Sequence, residues 1–135
     1  MSFTVKRSTL DVKFSDYIRA KAGWRCERCG SYFVERPGKA LQCSHYYGRR
    51  KEAVRFDPDN ADSLCAGCHQ FFGEHREDST DPKTGLRRDG YTSWKLKKIG
   101  PTAFDFLTLK ANTPGRPDYK MINLWLTRVL QTYGL

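Results

Sequence analysis

The residues most suited to chemistry in this sequence are five cysteines. Four of them form two C-x-x-C pairs, Cys26 with Cys29 and Cys65 with Cys68, while Cys43 stands alone. A spacing of two residues lets both thiolates of a pair face one ion, and zinc prefers four ligands in a tetrahedron. The pattern therefore predicts a structural zinc site with no open position for catalysis. A redox dithiol is the alternative for each pair.

The start of the chain shows no secretory signal, because no apolar stretch follows Lys6 and Arg7. An odd number of cysteines without such a signal argues against a disulfide framework and indicates a reducing compartment. We therefore expect a cytoplasmic protein, in a bacterium or a host cell. No membrane partner is expected, since the sequence has no run of about 18 apolar residues. Cys43 is expected to be a small buried residue that shares a strand face with His45.

Short elements are predicted around the first cysteine pair. Apolar residues at helical spacing indicate a helix over residues 14–22, which Gly23 ends. The first C-x-x-C pair then has the shape of a tight turn, and Gly30 relieves the strain of its backbone. Residues 31–40 are expected to form an irregular link to the next element.

The second cysteine pair follows a predicted hairpin. Residues 41–47 favour a strand, and residues 54–56 are expected to return as the second strand. Asp62 or Ser63 can then cap a helix over residues 66–72, which carries the second pair at its start. The positive end of that helix would stabilise the bound thiolates.

Beyond the second pair the sequence predicts mainly helices. Residues 76–92 are polar and favour an exposed loop or hairpin, and residues 94–99 favour a helical turn. A helix over residues 102–111 has Phe104 and Leu107 inward. Pro117 suits the first turn of a last helix. The inward stripe of that helix is expected to comprise Met121, Leu124, Trp125 and Arg128, with Ile122, Val129 and Leu130 beside it.

Three polar residues fall among these elements in the order His45, Asn60, His69. His45 lies on the first predicted strand, Asn60 on the turn before the helix, and His69 directly after Cys68. Taken singly, each has an ordinary explanation: a surface or strand histidine, a turn asparagine and a neighbour of the zinc site. Their joint order within the two cysteine pairs is what indicates a catalytic site. Imidazole titrates near neutral pH and can activate water.

This arrangement resembles the HNH, or ββα-metal, nuclease family. Cys65-Ala-Gly-Cys68-His69 looks like the C-x-x-C-H motif of that family. The stretches Cys43-Ser-His-Tyr-Tyr-Gly-Arg-Arg50 and Arg55-Phe-Asp-Pro-Asp-Asn60 are closer still to NinG-like phage recombination nucleases. The resemblance covers most of the chain, and its specific motifs lie within residues 14–75. It implies a metal-dependent DNA endonuclease or nickase that hydrolyses phosphodiester bonds, with phage DNA recombination as the setting.

The resemblance also implies a role for each residue. His45 matches the general base that activates water. Asn60 matches the asparagine that braces the hairpin loop and holds that base in position. His69 matches a ligand of the catalytic metal ion, for which weakly bound Mg²⁺ or Mn²⁺ is expected in addition to the structural Zn²⁺.

One position departs from the family pattern. The residue before the general base is usually an acidic or histidine ligand, and here it is Ser44. Ser44 and His45 are expected to point to opposite faces of a strand, so a ligand role for Ser44 needs local twisting. Glu74 or His75 would compensate as a ligand if the helix ended at Gly73 and let one of them swing back.

Positive charge indicates an anionic partner. The chain has 24 basic and 15 acidic residues, a net charge of +9, which favours DNA as the partner. A basic cluster in the turn between the two predicted strands can clamp the phosphate backbone beside the cut, the alternative being a solvated hairpin tip. The cluster comprises Arg49, Arg50, Lys51 and Arg55.

The sequence as a whole predicts a single α+β domain over residues 1–135. Its expected architecture is a treble-clef, zinc-stapled ββα-metal core over residues 14–75 with a short N-terminal helix. C-terminal packing helices over residues 94–135 are expected to cover that core. A homodimer through the C-terminal helix would account for paired cuts on two strands.

Two alternatives to a nuclease follow from the same residues. A non-catalytic zinc-ribbon module that only binds nucleic acid is favoured by Ser44, because an incomplete metal site would be inactive. A zinc deaminase needs the motifs H-x-E and P-C-x-x-C, and His45-Tyr46-Tyr47 and Leu64-Cys65 match neither. The sequence therefore favours the nuclease, with the binding module as the second hypothesis.

Overall fold

The computed structural model describes residues 5–34 and 38–135. These residues form an α+β fold with five α-helices and two small antiparallel sheets, which confirms the predicted fold class at that level. The helices are α1 (Arg7–Lys21), α2 (Ala66–Glu74), α3 (Tyr91–Ile99), α4 (Pro101–Ala111) and α5 (Tyr119–Thr132). The strands are β1 (Leu41–His45), β2 (Ala61–Cys65), β3 (Ser79–Thr80) and β4 (Arg87–Arg88). Within these ranges no helix has both the length and the apolar character needed to cross a membrane.

The hairpin that carries the predicted site consists of β1 and β2. The strands are antiparallel, with His45 opposite Ala61 and Leu41 opposite Cys65. The first strand was predicted correctly apart from its end. β2 runs directly into α2, so this register determines where α2 lies relative to β1.

The prediction that residues 54–56 form the returning strand is wrong. Val54 is buried with side chains of α4, whereas Phe56 is buried with side chains of α1. Alternate residues of a strand share one face, so a strand would not separate these two side chains in this way. The chain instead makes two 3₁₀ turns, Glu52–Val54 and Pro58–Asn60, before β2 begins.

The predicted caps of α2 also belong to the strand. Asp62 and Ser63 are fully buried residues of β2. The N-cap is Cys65, whose sulfur accepts a hydrogen bond from the backbone N–H of Cys68 at 3.4 Å. The start of α2 is therefore set by one of its own predicted metal ligands.

The N-terminal helix is longer than predicted, since α1 begins at Arg7. It packs against α5 and against the hairpin, and these elements share one apolar cluster. The basic residues Arg19 and Lys21 lie in its last turn, where their positive charge stabilises the negative end of the helix dipole. The cluster comprises Leu10, Phe14, Tyr17, Ile18, Phe56, Ala61, Leu126 and Leu130.

The inward stripe predicted for the last helix is wrong in part. Met121 and Leu124 are 61% and 46% exposed, whereas Leu126 and Leu130 are buried. Residues four apart share a face of a helix, and Ile122 continues the row of Leu126 and Leu130 towards the start of α5. The row packs on α1, so the packing partner decided which apolar residues face inward.

A buried ion pair attaches α3 to β2. The Nζ atom of Lys95 lies 2.9 Å from Oδ1 of Asp62, and both side chains have 0% exposure. The hydroxyl of Tyr91 donates to the same carboxylate at 2.6 Å. A buried charge is tolerated when it is paired and hydrogen-bonded, so this network holds α3 tightly against the hairpin. The predicted helical turn at residues 94–99 is the last two thirds of this helix, which begins at Tyr91.

Candidate functional site

The two cysteine pairs meet in the structure. The sulfur atoms of Cys26, Cys29, Cys65 and Cys68 all lie within 4.8 Å of one another. Sγ of Cys29 is 3.9 Å from Sγ of Cys65, close to the separation of about 3.8 Å between two ligands of a tetrahedral ion with Zn–S bonds of about 2.3 Å. The four thiols can therefore hold one metal ion such as zinc.

Hydrogen-bond donors from the backbone and from one guanidinium point at sulfur atoms of this cluster, and they oppose burial, which raises the pKa of Cys26 and of Cys68. Gly30 adopts a positive φ of +79° and closes the first turn with a hydrogen bond from its N–H to the carbonyl of Cys26 at 2.8 Å. The N–H of Cys29 points to the sulfur of Cys26 at 3.5 Å. The guanidinium of Arg28 donates to the sulfur of Cys68 at 3.4 Å. Such donors stabilise the deprotonated sulfur that a metal ion requires.

Hydrogen bonds attach the first cysteine turn to the hairpin. The N–H of Glu27 donates to the carbonyl of Ser63 at 2.8 Å, and the carboxylate of Glu27 accepts from the N–H of Ser63 at 2.7 Å. The hydroxyl of Ser63 donates to the carbonyl of Arg25 at 2.9 Å. Turn, hairpin and α2 thus form one unit, and this unit determines the position of His69 relative to His45.

His45 and His69 line a common cleft of about 450 Å³ between α1, the hairpin and α2. This is the juxtaposition on which the predicted catalytic site depends. The remaining lining residues are Asp11, Ser15, Gln42, Cys43, Gly48 and Arg49.

The ring of His45 is oriented by a backbone carbonyl. Its Nε2 lies 2.9 Å from the carbonyl oxygen of Arg55, and the ring packs 5.8 Å from that of Phe14. A carbonyl oxygen only accepts hydrogen bonds, so Nε2 carries the proton and Nδ1 of the neutral ring is bare.

The surroundings of His45 also favour its neutral form. Burial lowers the pKa of His45 below its ordinary value of 6.5; the hydrogen bond to Arg55 opposes this, and the positive charge of Arg49 adds to it. The neutral ring can therefore accept a proton at pH 7.

His69 lies on the first turn of α2, directly after Cys68. Its Nδ1 is hydrogen-bonded to Oε1 of Gln42 on β1. Burial lowers the pKa of His69. A neutral imidazole of this kind can bind a divalent ion through a ring nitrogen that has no proton.

Asn60 does not line the cleft but supports the chain that leaves His45. It has 0% exposure, and its Oδ1 accepts from the N–H of Tyr47 at 2.8 Å. Its Nδ2 donates to the carbonyls of Tyr47 at 2.9 Å and of Val54 at 3.1 Å. These are the contacts that the predicted bracing role requires.

Three predicted metal ligands lie outside the cleft. Ser44 is buried on the other side of β1, where its hydroxyl is 3.0 Å from that of Tyr91. Glu74 is exposed and accepts from Gln70, because α2 continues through Gly73 instead of ending there. His75 stacks on Phe71 at 4.4 Å. None of the three lines the cleft that His69 lines, so their predicted ligand roles are not supported.

The predicted DNA-binding cluster divides into two groups. Arg49, Arg50 and Lys51 are exposed, and Arg49 lines the cleft itself. Arg55 instead donates to both carboxylate oxygens of Asp11, at 3.0 and 2.5 Å, and its side chain is only 13% exposed. The guanidinium of Arg55 is committed to an internal ion pair, so its predicted contact with DNA is not supported.

Sequence reasoning missed Asp11, Ser15 and Gln42, which all line the cleft. Asp11 and Ser15 are four residues apart on α1, and helical spacing would have paired them had the helix been extended to Arg7. Gln42 carries no comparable signal, because a glutamine in a strand is most often a surface residue. Cys43 lines the cleft beside His45, as their shared strand face predicted, and burial raises the pKa of its thiol to about 12.

No protein-family model matches this chain, and neither a curated protein nor a solved structure shows significant similarity to it. A functional assignment therefore depends on the chemistry of the cleft and of the four thiols.

Proposed function

We propose that this chain is a metal-dependent DNA endonuclease or nickase of the HNH type. The observation that carries the proposal is the cleft that His45 and His69 share. One imidazole comes from the hairpin and the other from the helix that follows it. Two rings that line one cleft of about 450 Å³ would both face a phosphodiester group bound in it.

A structural zinc ion is part of this proposal. The cysteine turn, the hairpin and α2 would form a treble clef around four thiolates, with Cys65 and Cys68 at the positive end of α2. Four protein ligands leave no open position, so the zinc would hold the site together without taking part in the reaction.

His45 would act as the general base. Its bare Nδ1 would take a proton from a water molecule as the oxygen of that water bonds to phosphorus and the bond from phosphorus to one bridging oxygen breaks. The carbonyl of Arg55 keeps the ring in the required tautomer, at 2.9 Å from Nε2. Asn60 holds the loop between Tyr47 and Val54 and so supports this carbonyl's position.

A weakly bound Mg²⁺ or Mn²⁺ ion in the cleft is part of the proposal. Among the described residues, the only cluster of potential ligands within 4.8 Å of one another is that of the four cysteines, so the cleft offers no preformed cage. His69 would hold the ion, and water and substrate phosphate would complete its shell. When bound, such an ion would stabilise negative charge on the phosphate and on the leaving oxygen.

DNA would reach this site across an exposed basic surface. Arg49 links the cleft to a neighbouring groove that Arg7 and Arg50 also line. Guanidinium groups match phosphate oxygens, and an excess charge of +9 favours a polyanion. Contacts of this kind read the backbone and not the bases, so sequence-independent binding is expected.

A plasmid-nicking assay tests the proposal. Zinc-loaded protein is expected to nick supercoiled DNA with added Mg²⁺ or Mn²⁺, and His45→Ala should lower the rate by about 10²- to 10⁴-fold. His75→Ala is the matched control, because His75 lies outside the cleft. Folded, zinc-loaded protein that binds DNA but cuts none of its forms would refute the proposal.

The substrate form is a second question for the same assay. The resemblance to NinG-like nucleases makes branched recombination intermediates candidates alongside duplex DNA. Cleavage of linear, single-stranded and four-way-junction DNA, measured in parallel, would rank them. A strong preference for the junction would support a role in recombination.

A non-catalytic nucleic-acid-binding module is the second candidate. It is favoured by the orientation of Ser44. The hydroxyl of Ser44 contacts Tyr91 on the other side of β1, so the residue next to His45 provides no metal ligand in the cleft. This candidate predicts that His45→Ala and the unchanged protein bind DNA equally and that neither cuts it. The nicking assay therefore separates the two functions.

A further inference from the structure

The side chain of Gln42 has a defined orientation. Its Nε2 donates to the backbone carbonyl of Lys39 at 2.8 Å, and its Oε1 faces His69. A carbonyl can only accept, so the amino end of the amide must face Lys39. The oxygen of the amide is therefore the atom that meets the imidazole.

This orientation selects one tautomer of His69. The amide oxygen of Gln42 only accepts hydrogen bonds, so Nδ1 of His69 must be the donor. A neutral imidazole has one N–H, and Nε2 is then bare. In water the neutral histidine ring favours the opposite tautomer, with the proton on Nε2, so the contact with Gln42 changes which nitrogen is available.

We infer that Gln42 is a positioning residue that prepares Nε2 of His69 to bind a divalent cation. The inference rests on the proposed function, in which His69 holds that ion. A metal-binding histidine commonly donates its other N–H to an oxygen, which fixes the ring and strengthens it as a ligand. Gln42 supplies that oxygen here.

The surrounding fold holds the two partners in place. Gln42 lies opposite Leu64 in the register of β1 and β2, one residue before Cys65, which caps α2. The thiol cluster thus sets the distance between the strand that carries Gln42 and the helix that carries His69. Gln42 itself is held at its other end by Lys39.

Nitrogen-15 NMR spectroscopy of the histidine rings tests the inference without any measurement of activity. The chain has only 3 histidines, so each ring can be assigned by single substitution. At about pH 8, where imidazole is neutral, zinc-loaded protein without other metal ions is expected to show His69 protonated at Nδ1. A proton on Nε2 of His69 would overturn the inference.

Two variants and a control separate positioning from general structural effects. Gln42→Leu removes the acceptor and should return His69 to the Nε2–H tautomer. Gln42→Glu keeps an acceptor oxygen and should retain the Nδ1–H tautomer. Gln70→Leu is the control, because Gln70 neighbours His69 on α2 but is exposed and bonds only to Glu74 among the described side chains.

Binding of Mn²⁺, followed by electron paramagnetic resonance, gives the second readout. Gln42→Leu should weaken binding by about 10- to 100-fold, whereas Gln42→Glu and Gln70→Leu should not weaken it by that factor. Equal affinities of the wild-type chain and Gln42→Leu would overturn the inference. If Mn²⁺ binding depends on Gln42 but no DNA is cut, the nuclease proposal fails and the positioning role stands.

Discussion

At the scale of single residues, the proposed chemistry depends on how backbone carbonyls and burial act on one imidazole. The carbonyl of Arg55 lies 2.9 Å from Nε2 of His45 and leaves Nδ1 bare. Burial lowers the pKa of the same ring. The contact with Arg55 therefore selects the reactive nitrogen, and burial keeps the ring neutral. Both effects favour a base that works at neutral pH.

The pH dependence of cutting follows from this shift. A lowered pKa means that His45 stays neutral to a lower pH than free imidazole, so the rate should be flat near pH 7. It should fall about tenfold for each pH unit only below the pKa of His45, which lies under 6.5. The measurement is the rate at saturating DNA and metal ion across this range.

Arg49→Gln provides the matched variant for this profile. The charge of Arg49 lowers the pKa of His45, so its removal should move the acid limb of the profile to higher pH. A limb that lies above pH 6.5 in the unchanged protein, or that does not move in Arg49→Gln, would contradict the assignment of His45 as the base.

Asn60 makes a residue-scale contribution to stability. Asn60→Ala removes three hydrogen bonds at a position with 0% exposure and leaves backbone groups of Tyr47 and Val54 unpaired. An unpaired buried group costs about 1–3 kcal/mol, and the two bonds to Tyr47 are only partly buried, so we take the low end for each and expect a loss of about 3 kcal/mol in the free energy of unfolding, measured with urea. Asn112→Ala, which removes one exposed bond within α4's last turn, should cost less than about 0.5 kcal/mol. Equal losses in the two variants would argue against the bracing role.

At the scale of elements, the four thiols join two separate pieces of chain, the cysteine turn and the continuous segment of β2 and α2. The cysteine turn, β2 and the start of α2 contribute ligands or hydrogen bonds to one cluster. A chain of this size has a modest core, and a metal ion that cross-links these elements would supply a large share of its stability. The same cross-link sets the separation of His45 and His69, so the stability and the proposed activity depend on one feature.

Metal removal should therefore unfold the core. Structural zinc contributes about 10–16 kcal/mol of apparent binding free energy, which is comparable to the whole stability of a typical domain. We expect Cys65→Ser, or a strong chelator, to abolish the cooperative thermal transition measured by circular dichroism. Cys43→Ala is the control: Cys43 is outside the cluster, so one zinc per chain and a cooperative transition should remain. An unchanged transition in zinc-free protein would contradict a structural zinc ion.

At the scale of the whole molecule, some basic side chains are paired with carboxylates and others are exposed without such a partner among the described residues. Several arginines and lysines are paired within the fold, including Arg55 with Asp11 and Lys95 with Asp62. Arg50 and Lys51 are exposed and have no carboxylate partner among the residues that the structure describes. The part of the net charge of +9 nearest the cleft is thus available to a polyanion.

This distribution predicts how binding responds to salt. The logarithm of the DNA-binding constant should fall with the logarithm of salt concentration, with a slope of about −0.9 for each phosphate contacted. Arg50→Gln should make that slope shallower and leave the melting temperature unchanged. Arg55→Gln should instead lower the melting temperature, because it removes the two hydrogen bonds that the half-buried guanidinium of Arg55 donates to Asp11. The measurement is DNA binding in a His45→Ala background without added Mg²⁺ or Mn²⁺.

Lys97→Gln is the control for this series. Lys97 is exposed on α3, pairs with Asp89 and does not line the cleft. Its replacement should change neither the slope nor the melting temperature. If Lys97→Gln and Arg50→Gln weaken binding equally, the affinity comes from net charge alone and not from a surface beside the cleft.

The sequence by itself determined the features that depend on local spacing. Two C-x-x-C pairs predict one four-thiol cluster, because two residues between cysteines bring both sulfurs to the same side of a turn. A strand that carries His45 and a helix start that carries His69 were also evident from local pattern and composition. The strand 61–65 was not, since its Asp62 and Ser63 are typical helix caps and become buried only through contacts with α3 and the cysteine turn.

Only the tertiary structure decided what the side chains around the cleft do. Ser44 bonds to Tyr91, Arg55 to Asp11 and Gln42 to His69, across sequence separations of 47, 44 and 27 residues. The packing of helices against the hairpin determines these partners, and the local periodicity of the sequence does not predict how the helices pack. The direction of Ser44 and the tautomer of His69 are therefore properties of the folded chain, whereas the thiol pairs and the order of the histidines are properties of the sequence.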